Sequence, residues 1–218
     1  MERAQASTIL DEPSAPATAT YEDRKSEFIG EACHAESAQE ALAFVEAVRQ
    51  RNPKARHIAY AAIWGGEAGA GERMSDDGEP SGTAGKPIFD VLRAGGLTDC
   101  VVVVTRYFGG ILLGSGGLVR AYSSAASSAI AAAHHADIVD AVRLRMVMPY
   151  AWRERVLRIV TECGGRVADE CFADTVTQDV DVPRDEVESF EARVRETTAA
   201  SVTPRRIGES RLVGAATG

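Results

Sequence analysis

The stretch Cys100-Val101-Val102-Val103-Val104-Thr105-Arg106-Tyr107-Phe108-Gly109-Gly110-Ile111-Leu112-Leu113-Gly114-Ser115-Gly116-Gly117-Leu118-Val119-Arg120-Ala121-Tyr122 holds the most information about the fold. Val101 to Val104 form an unbroken β-branched run, which predicts a strand buried on both faces. A glycine-rich loop, Gly109 to Gly117, follows. Leu118, Tyr122, Ala125 and Ala129 then share one face at helical spacing, in a segment otherwise rich in Ala and Ser. So many small side chains imply that this helix lies close against a sheet.

Toward the N-terminus, Glu27 to Ala35 alternates loosely enough for a strand. Ser37-x-x-Glu40 reads as a capping box, each side chain covering an unpaired amide at a helix start. The helix runs to about Arg51, because Ala38, Ala41, Leu42, Val45 and Val48 form one stripe and Asn52-Pro53 stops it. His57 to Trp64 is a second strand, closed by Gly65-Gly66. Residues 66 to 85 read as a long polar loop, a feature that tends to be functional. Pro87 suits a helix start, and Ile88, Val91 and Leu92 carry a short helix to Gly95-Gly96. Residues 1 to about 20, rich in Ala, Thr, Ser and Pro, are expected to form a mobile tail.

Toward the C-terminus the pattern changes at Asp137. A strand at about 138–148, a helix at 150–163, strands on either side of Ala173-Asp174, a helix at 184–197 and a strand at 201–208 follow in order. That is βαββαβ, which predicts an antiparallel four-stranded sheet with both helices on one face. Trp152, Val156, Ile159, Val160 and Cys163 stripe the first helix; Val187, Phe190 and Val194 stripe the second. The chain therefore divides into a tail (1–20), a first domain (21–136) and a second (137–218), an α+β protein.

Of the 218 residues 45% are hydrophobic and 26% charged, the balance of an ordinary globular protein. No apolar run approaches the roughly 20 residues of a membrane helix, and the opening residues lack an export pattern, so the expected location is cytoplasmic. Cys33, Cys100, Cys163 and Cys171 form no C-x-x-C pair and read as buried, reduced thiols. The net charge is -8, and the acidic excess is shared by both halves. Because sequence-independent nucleic-acid affinity comes from cations displacing counterions, any RNA contact needs a local arginine patch. Arg143, Arg145, Arg153, Arg155 and Arg158 offer one, although the interspersed Glu154 and Glu162 favour an ordinary charged surface.

Two loops carry chemistry. In Ser75-Asp76-Asp77-Gly78-Glu79-Pro80-Ser81-Gly82-Thr83-Ala84-Gly85 the carboxylates and hydroxyls suit a cation or a partner's arginines, but the spacing is not that of an EF-hand and the composition favours solvated turns. Lys86 closes this segment. In the second loop, Gly114, Ser115, Gly116 and Gly117 precede a helix, where bare amides and the positive dipole end attract anions. Arg106 and Arg120 are placed to add charged hydrogen bonds, and Tyr107 and Phe108 to stack on a base. Against this stands a purely structural reading, in which the glycines permit tight turns, the aromatics are core and both arginines pair with Asp76, Asp77 or Glu79. Neither reading is preferred on physical grounds alone. The glycine spacing excludes a P-loop and a dinucleotide fingerprint. His57 invites a metal with the nearby carboxylates, but a lone histidine is more often structural. Adjacent His134 and His135 suit a helix end.

Asp76-Asp77-Gly78-Glu79-Pro80-Ser81-Gly82-Thr83-Ala84-Gly85 followed by Arg106-Tyr107-Phe108-Gly109-Gly110, Leu113-Gly114 and Gly116-Gly117-Leu118-Val119-Arg120-Ala121-Tyr122 resembles the IMPACT/YigZ family. Arg24-Lys25-Ser26 with Phe28-Ile29 resembles that family's opening strand. The resemblance implies a first domain like the second domain of ribosomal protein S five, and a ferredoxin-like second domain. It also implies a translation-related role, since eukaryotic relatives restrain a starvation-sensing kinase pathway by competing for its ribosome-associated activator. The expected partner is a translation protein, RNA or the ribosome. Its binding residues would be Asp76, Asp77, Glu79, Ser81, Thr83, Lys86, Arg106, Tyr107, Phe108, Gly109, Gly110, Gly114, Ser115, Gly116, Gly117 and Arg120. No catalytic residue, metal or cofactor is expected, and the oligomeric state is left open. The alternative is an enzyme that holds a nucleotide or phosphate on the Gly-rich loop. Where relatives carry His-x-Cys in the second strand, this chain has His57-Ile58-Ala59-Tyr60, which argues against a thiol-dependent site.

Overall fold

A computed structural model describes residues 6–65 and 69–217, apart from the side chains of 215–217. It divides the chain into two compact units. One comprises the described residues up to Asp137 together with 215–217, and the other is Ile138–Gly214. The protein is α+β.

The first unit is built on β2 (Ala17–Asp23), β3 (Ser26–His34), β4 (His57–Trp64), β5 (Gly71–Ser75) and β6 (Cys100–Tyr107), in the order β2-β3-β6-β4-β5 and antiparallel throughout. The valine run lies at the centre, and the strand pleat sends alternate residues to opposite faces. Val101 and Val103 pack with Phe44, Val45 and Val48 of α1 (Ala38–Arg51). Val102 and Val104 pack with Ile88 and Leu92 of α2 (Gly85–Ala94) and with Tyr122 and Ala125 of α3 (Gly114–Ala131). Both faces are thus covered, as the unbroken apolar run requires.

The small residues of α3 serve close packing. A side chain at Gly30 would come within 2.5 Å of the Ala125 carbonyl oxygen, so glycine there lets the helix backbone lie almost directly on β3. At α1 the capping pair differs in one detail from the expected box. Ser37 Oγ accepts from the Glu40 amide, but Glu40 reaches the amide of Glu36 at 2.8 Å instead of that of Ser37.

Three sequence expectations need correction. Much of the supposed tail is strand. β1 (Ser7–Ile9) pairs with residues 135–137, and β2 packs Ala17 and Tyr21 on the core while Thr18 and Thr20 face out. Residues 1–5 lie outside the described residues. The loop at 66–85 contains β5, an edge strand whose polar, exposed sequence hides its pairing with β4; residues 66–68 are not described. Gly114 to Gly117, read as loop, already form the first turn of α3.

The second unit contains most of β7 (His135–Met148), then α4 (Tyr150–Glu162), β8 (Arg166–Phe172), β9 (Val176–Pro183), α5 (Val187–Thr197) and most of β10 (Arg205–Thr217). Its strand order is β10-β7-β9-β8. Val142, Leu144, Met146 and Met148 share one core with Val156, Ile159 and Val160 of α4 and Phe190 and Val194 of α5. The last strand begins later and runs longer than its sequence pattern suggested.

Candidate functional site

The first loop is organised by its own carboxylates. Asp76 accepts from the amides of Gly82 (2.8 Å), Ala84 (3.0 Å) and Gly85 (2.9 Å), so it folds the loop back and caps the start of α2, which has no other side-chain cap. Burial raises the Asp76 carboxyl, but the three amides outweigh it and hold the group below its ordinary value of 3.8. Asp77 accepts from Arg49 Nη2 (2.9 Å) and the Ile58 amide (2.7 Å), while its carbonyl meets His57 Nδ1 at 2.8 Å. The hydrogen bond that Arg49 donates to Asp77 raises the guanidinium pKa against the opposing effect of burial. Thr83 is buried and donates to the Pro80 carbonyl.

Glu79 is the point where the two sequence motifs join. Its buried Oε1 accepts from Arg106 Nη1 at 2.5 Å and from the Tyr122 hydroxyl at 2.9 Å, and lies 4.0 Å from His57 Nε2. Burial first, and the Glu79 carboxylate second, push the Tyr122 hydroxyl far above its ordinary range, so it stays a donor. Arg106, only 6% exposed, has its guanidinium carbon 5.5 Å from the centre of the Phe28 ring and 5.6 Å from that of Phe108. Its Nε has no hydrogen-bond partner among the described residues, and the two ring faces supply the compensating electrostatics. The expectation that Arg106 faces an anion is therefore corrected, because it is consumed by Glu79. Tyr107 is also committed, its hydroxyl donating to Asn52 Oδ1 at 2.8 Å.

What remains outward is apolar and basic. Phe108, Ile111, Leu112 and Val119 are exposed, Leu112 by 79%. Gly110, Ser115, Gly116 and Arg120 are exposed beside them. The two-residue turn Arg24-Lys25 between β2 and β3 backs this loop. The Arg24 guanidinium donates to the Leu112 carbonyl at 3.0 Å, and the Gly109 amide donates to Ser26 Oγ at 3.1 Å. A side chain at Gly109 would fall 2.0 Å from the Lys25 carbonyl group, so the turn and the loop can meet only through a glycine. Lys25 and Arg120 make no hydrogen bond or ion pair among the described residues.

Between α2 and α3 runs a groove of about 340 Å³, lined by Gly82, Lys86, Pro87, Asp90, Val91, Ala94, Val119 and Ser123. Lys86 Nζ is bound by Asp90 at 2.7 Å on its rim. Gly82 brings the first loop to this groove, and Val119 brings the helix that follows the second.

The predicted residues therefore separate into two groups. Asp76, Asp77, Glu79, Thr83, Arg106 and Tyr107 are engaged within the protein, and Gly109 and Gly117 are packed. Ser81, Lys86, Phe108, Gly110, Gly114, Ser115, Gly116 and Arg120 are on the surface. Arg24, Lys25, Ile111, Leu112 and Val119 belong with the second group, although the sequence reading names none of them as a binding residue. A signal was present, since two adjacent aliphatic residues inside a glycine loop have no strand or helix to bury them.

The other candidates resolve locally. Arg143 and Arg145 bind Asp181 and Asp179 in two-pronged pairs, and Arg153 binds Glu170 likewise. His134 contacts Asp11, and His135 Nε2 meets the Ile130 carbonyl at the end of α3. Among the described residues no cluster of three His, Cys, Asp or Glu side chains suits a metal. No helix among them is long and apolar enough to cross a membrane. Cys33, Cys100 and Cys163 are buried, and burial pushes the Cys33 thiol to about 12; Cys171 is exposed, contrary to expectation.

The Impact N-terminal domain matches residues 24–130, and a domain of unknown function (DUF1949) matches residues 146–201. The chain is 34% identical over 191 residues to the IMPACT family member YigZ of Escherichia coli (strain K12), covering 87% of this chain and 94% of that protein. It is 33% identical over 177 residues to YvyE of Bacillus subtilis (strain 168), covering 80% of each. An IMPACT family member of Thermus thermophilus is 44% identical over 127 residues, 58% of this chain and 67% of that one. A solved structure described as that of a hypothetical protein superimposes with a TM-score of 0.70 at 32% identity, covering 94% of this chain and 98% of its own.

Proposed function

The chain belongs to the IMPACT family, and on that premise we propose that it is a cytoplasmic, non-catalytic binding protein that recognises a translation component. The observation that carries this reading is the groove between α2 and α3, to which Gly82 of the first loop and Val119 beyond the second both contribute. The rest of each motif, knotted together through Glu79, Arg106 and Tyr122, acts as the frame that holds this surface. A dense sequence motif is accounted for in this way without a nucleophile or a base.

The fold is read in the same terms. The five-stranded antiparallel sheet between α1 and the pair α2 and α3 supports a likeness to the second domain of ribosomal protein S five. In the second unit the order β10-β7-β9-β8 supports a ferredoxin-like arrangement, with the first and third strands of βαββαβ side by side at the centre. Fold alone assigns no activity.

The enzyme alternative keeps one supporting observation, the exposed Gly114, Ser115 and Gly116 at the start of α3, but loses Arg106 to Glu79. The binding reading is tested by replacing Arg24, Lys25 and Arg120 together with alanine. Co-sedimentation with ribosomes should fall several-fold, more steeply at low salt, while the circular dichroism spectrum is unchanged. Undiminished co-sedimentation of the folded variant would overturn it.

A further inference from the structure

The segment between β6 and α3 is fixed at both ends and loosely held in the middle. At one end the Gly109 amide donates to Ser26 Oγ, and a side chain at Gly109 would fall 2.0 Å from the Lys25 carbonyl group. At the other end Leu113 is buried, and its Cβ lies 2.9 Å from where a side chain on Gly117 would begin. Packing therefore requires glycine at 109 and 117. Gly110 and Gly114 differ, because nothing lies within 4 Å of where their side chains would begin. The backbone requires them instead, with φ of 87° and 71° in the left-handed region that glycine enters freely.

Between these two glycines the chain carries little restraint. The amides of Gly110, Ile111 and Leu112 donate to no group among the described residues. Leu112 is 79% exposed and Ile111 44%. The tether that reaches Leu112 is the 3.0 Å hydrogen bond from the Arg24 guanidinium to its carbonyl, and that bond is itself at the surface. A segment with few buried contacts and unpaired backbone groups opens at low cost.

The α2–α3 groove offers Leu112 a second place. Its charged lining residues, Lys86 and Asp90, neutralise each other at 2.7 Å, so its walls present mainly Pro87, Val91, Ala94 and Val119 to an occupant. Leu112 is not among the lining residues in the position described. Along α3 the rise from Gly114 to Val119 is about 7.5 Å, and the extended span from Gly114 back to Leu112 is about 7 Å. The Leu112 side chain is thus within reach of the groove mouth, with Leu113 as the pivot. Burying one leucine side chain and keeping one exposed hydrogen bond to a charged donor contribute comparable free energies, so neither place overwhelms the other.

Taking the groove as the binding surface argued above, on which this inference rests, we propose that residues 110–114 form a hinged flap that gates it. Gly110 and Gly114 are the hinges, Arg24 is the latch, and Leu112 swings between solvent and groove. With the latch made, the groove is open to a partner. With the latch broken, Leu112 fills the groove mouth and shuts it.

The test uses the full chain carrying Cys171→Ser, since the other native cysteines are buried, with a reporter thiol in the groove as Ala94→Cys. Maleimide labelling of that thiol should slow several-fold when Arg24→Ala releases the latch, and adding Leu112→Ser should restore the rate. In a second chain, Leu112→Cys with Ala94→Cys should form a disulfide under mild oxidation, and sooner with Arg24→Ala than without it. Labelling indifferent to Arg24→Ala, a slowed rate that Leu112→Ser leaves unrelieved, or absence of the disulfide in both backgrounds would each overturn the flap. The binding reading fails separately. If the flap is found and the triple alanine variant still co-sediments undiminished with ribosomes, the flap stands and that reading falls.

Discussion

Glu79 is the residue on which both sequence motifs depend. It sits at 2.5 Å from Arg106 and 2.9 Å from Tyr122, with the carboxylate and guanidinium both removed from water. A buried pair of this kind adds little over a well-packed apolar substitute, but removing one partner strands the other charge. Glu79→Ala should therefore destabilise the protein by about 3–5 kcal/mol, seen as a lower urea midpoint at unchanged slope. A loss below about 1 kcal/mol would mean that Arg106 finds another anion or swings to solvent. The same residue shows the limit of reading chemistry from composition. Asp76, Asp77 and Glu79 look alike in sequence, yet one caps a helix, one holds Arg49 and the Ile58 amide, and one neutralises Arg106. What separates them is the direction of each Cα–Cβ bond in a tight turn, which no spacing rule reports.

At the scale of elements, the start of α2 is capped by Asp76 and by no side chain of its own, since Ala84 at its N-cap offers no side-chain oxygen. The carboxyl is depressed in the folded state, so its stabilisation is present above the ordinary value of 3.8 and is lost as pH falls through the lower folded value. Asp76→Asn should lower stability at neutral pH by about 1–2 kcal/mol and make the acid limb of the stability curve shallower below pH 3.8, checked by urea unfolding across pH. Equal acid limbs in the two proteins would place the proton elsewhere. The legible elements were those with strong local causes. Val101 to Val104 could only be a doubly covered strand, and Ser37 could only start α1. β5 was not legible because Gly71–Ser75 has neither alternation nor branching, and it is placed at the sheet edge by backbone pairing with β4 and by the Glu72–Arg93 ion pair to α2, neither of which leaves a sequence pattern. β1 was missed for a related reason, as three residues are too few to show a period although Thr8 and Ile9 are wholly buried. The two loops were recognised as important, but their inward and outward halves were not, because that division depends on where β6 delivers Arg106.

Across the whole molecule, many charges cancel locally. Arg143, Arg145, Arg153 and Arg49 each bind carboxylates, whereas Lys25 and Arg120 are among the cations that make no such pair among the described residues. The turn that presents Arg24 and Lys25 is itself unusual, because both residues adopt left-handed backbone angles, φ 47° and 65°, in a hairpin closed by Asp23 and Ser26. Asn-Gly would fit those angles with less strain. A chain carrying Arg24→Asn with Lys25→Gly should melt several degrees higher and yet bind its partner less well. If melting instead falls, the contact with Gly109 relies on the long side chains themselves. In the binding role proposed above, this hairpin keeps two cations where its backbone angles favour Asn-Gly, so the same pair of residues governs both melting and contact.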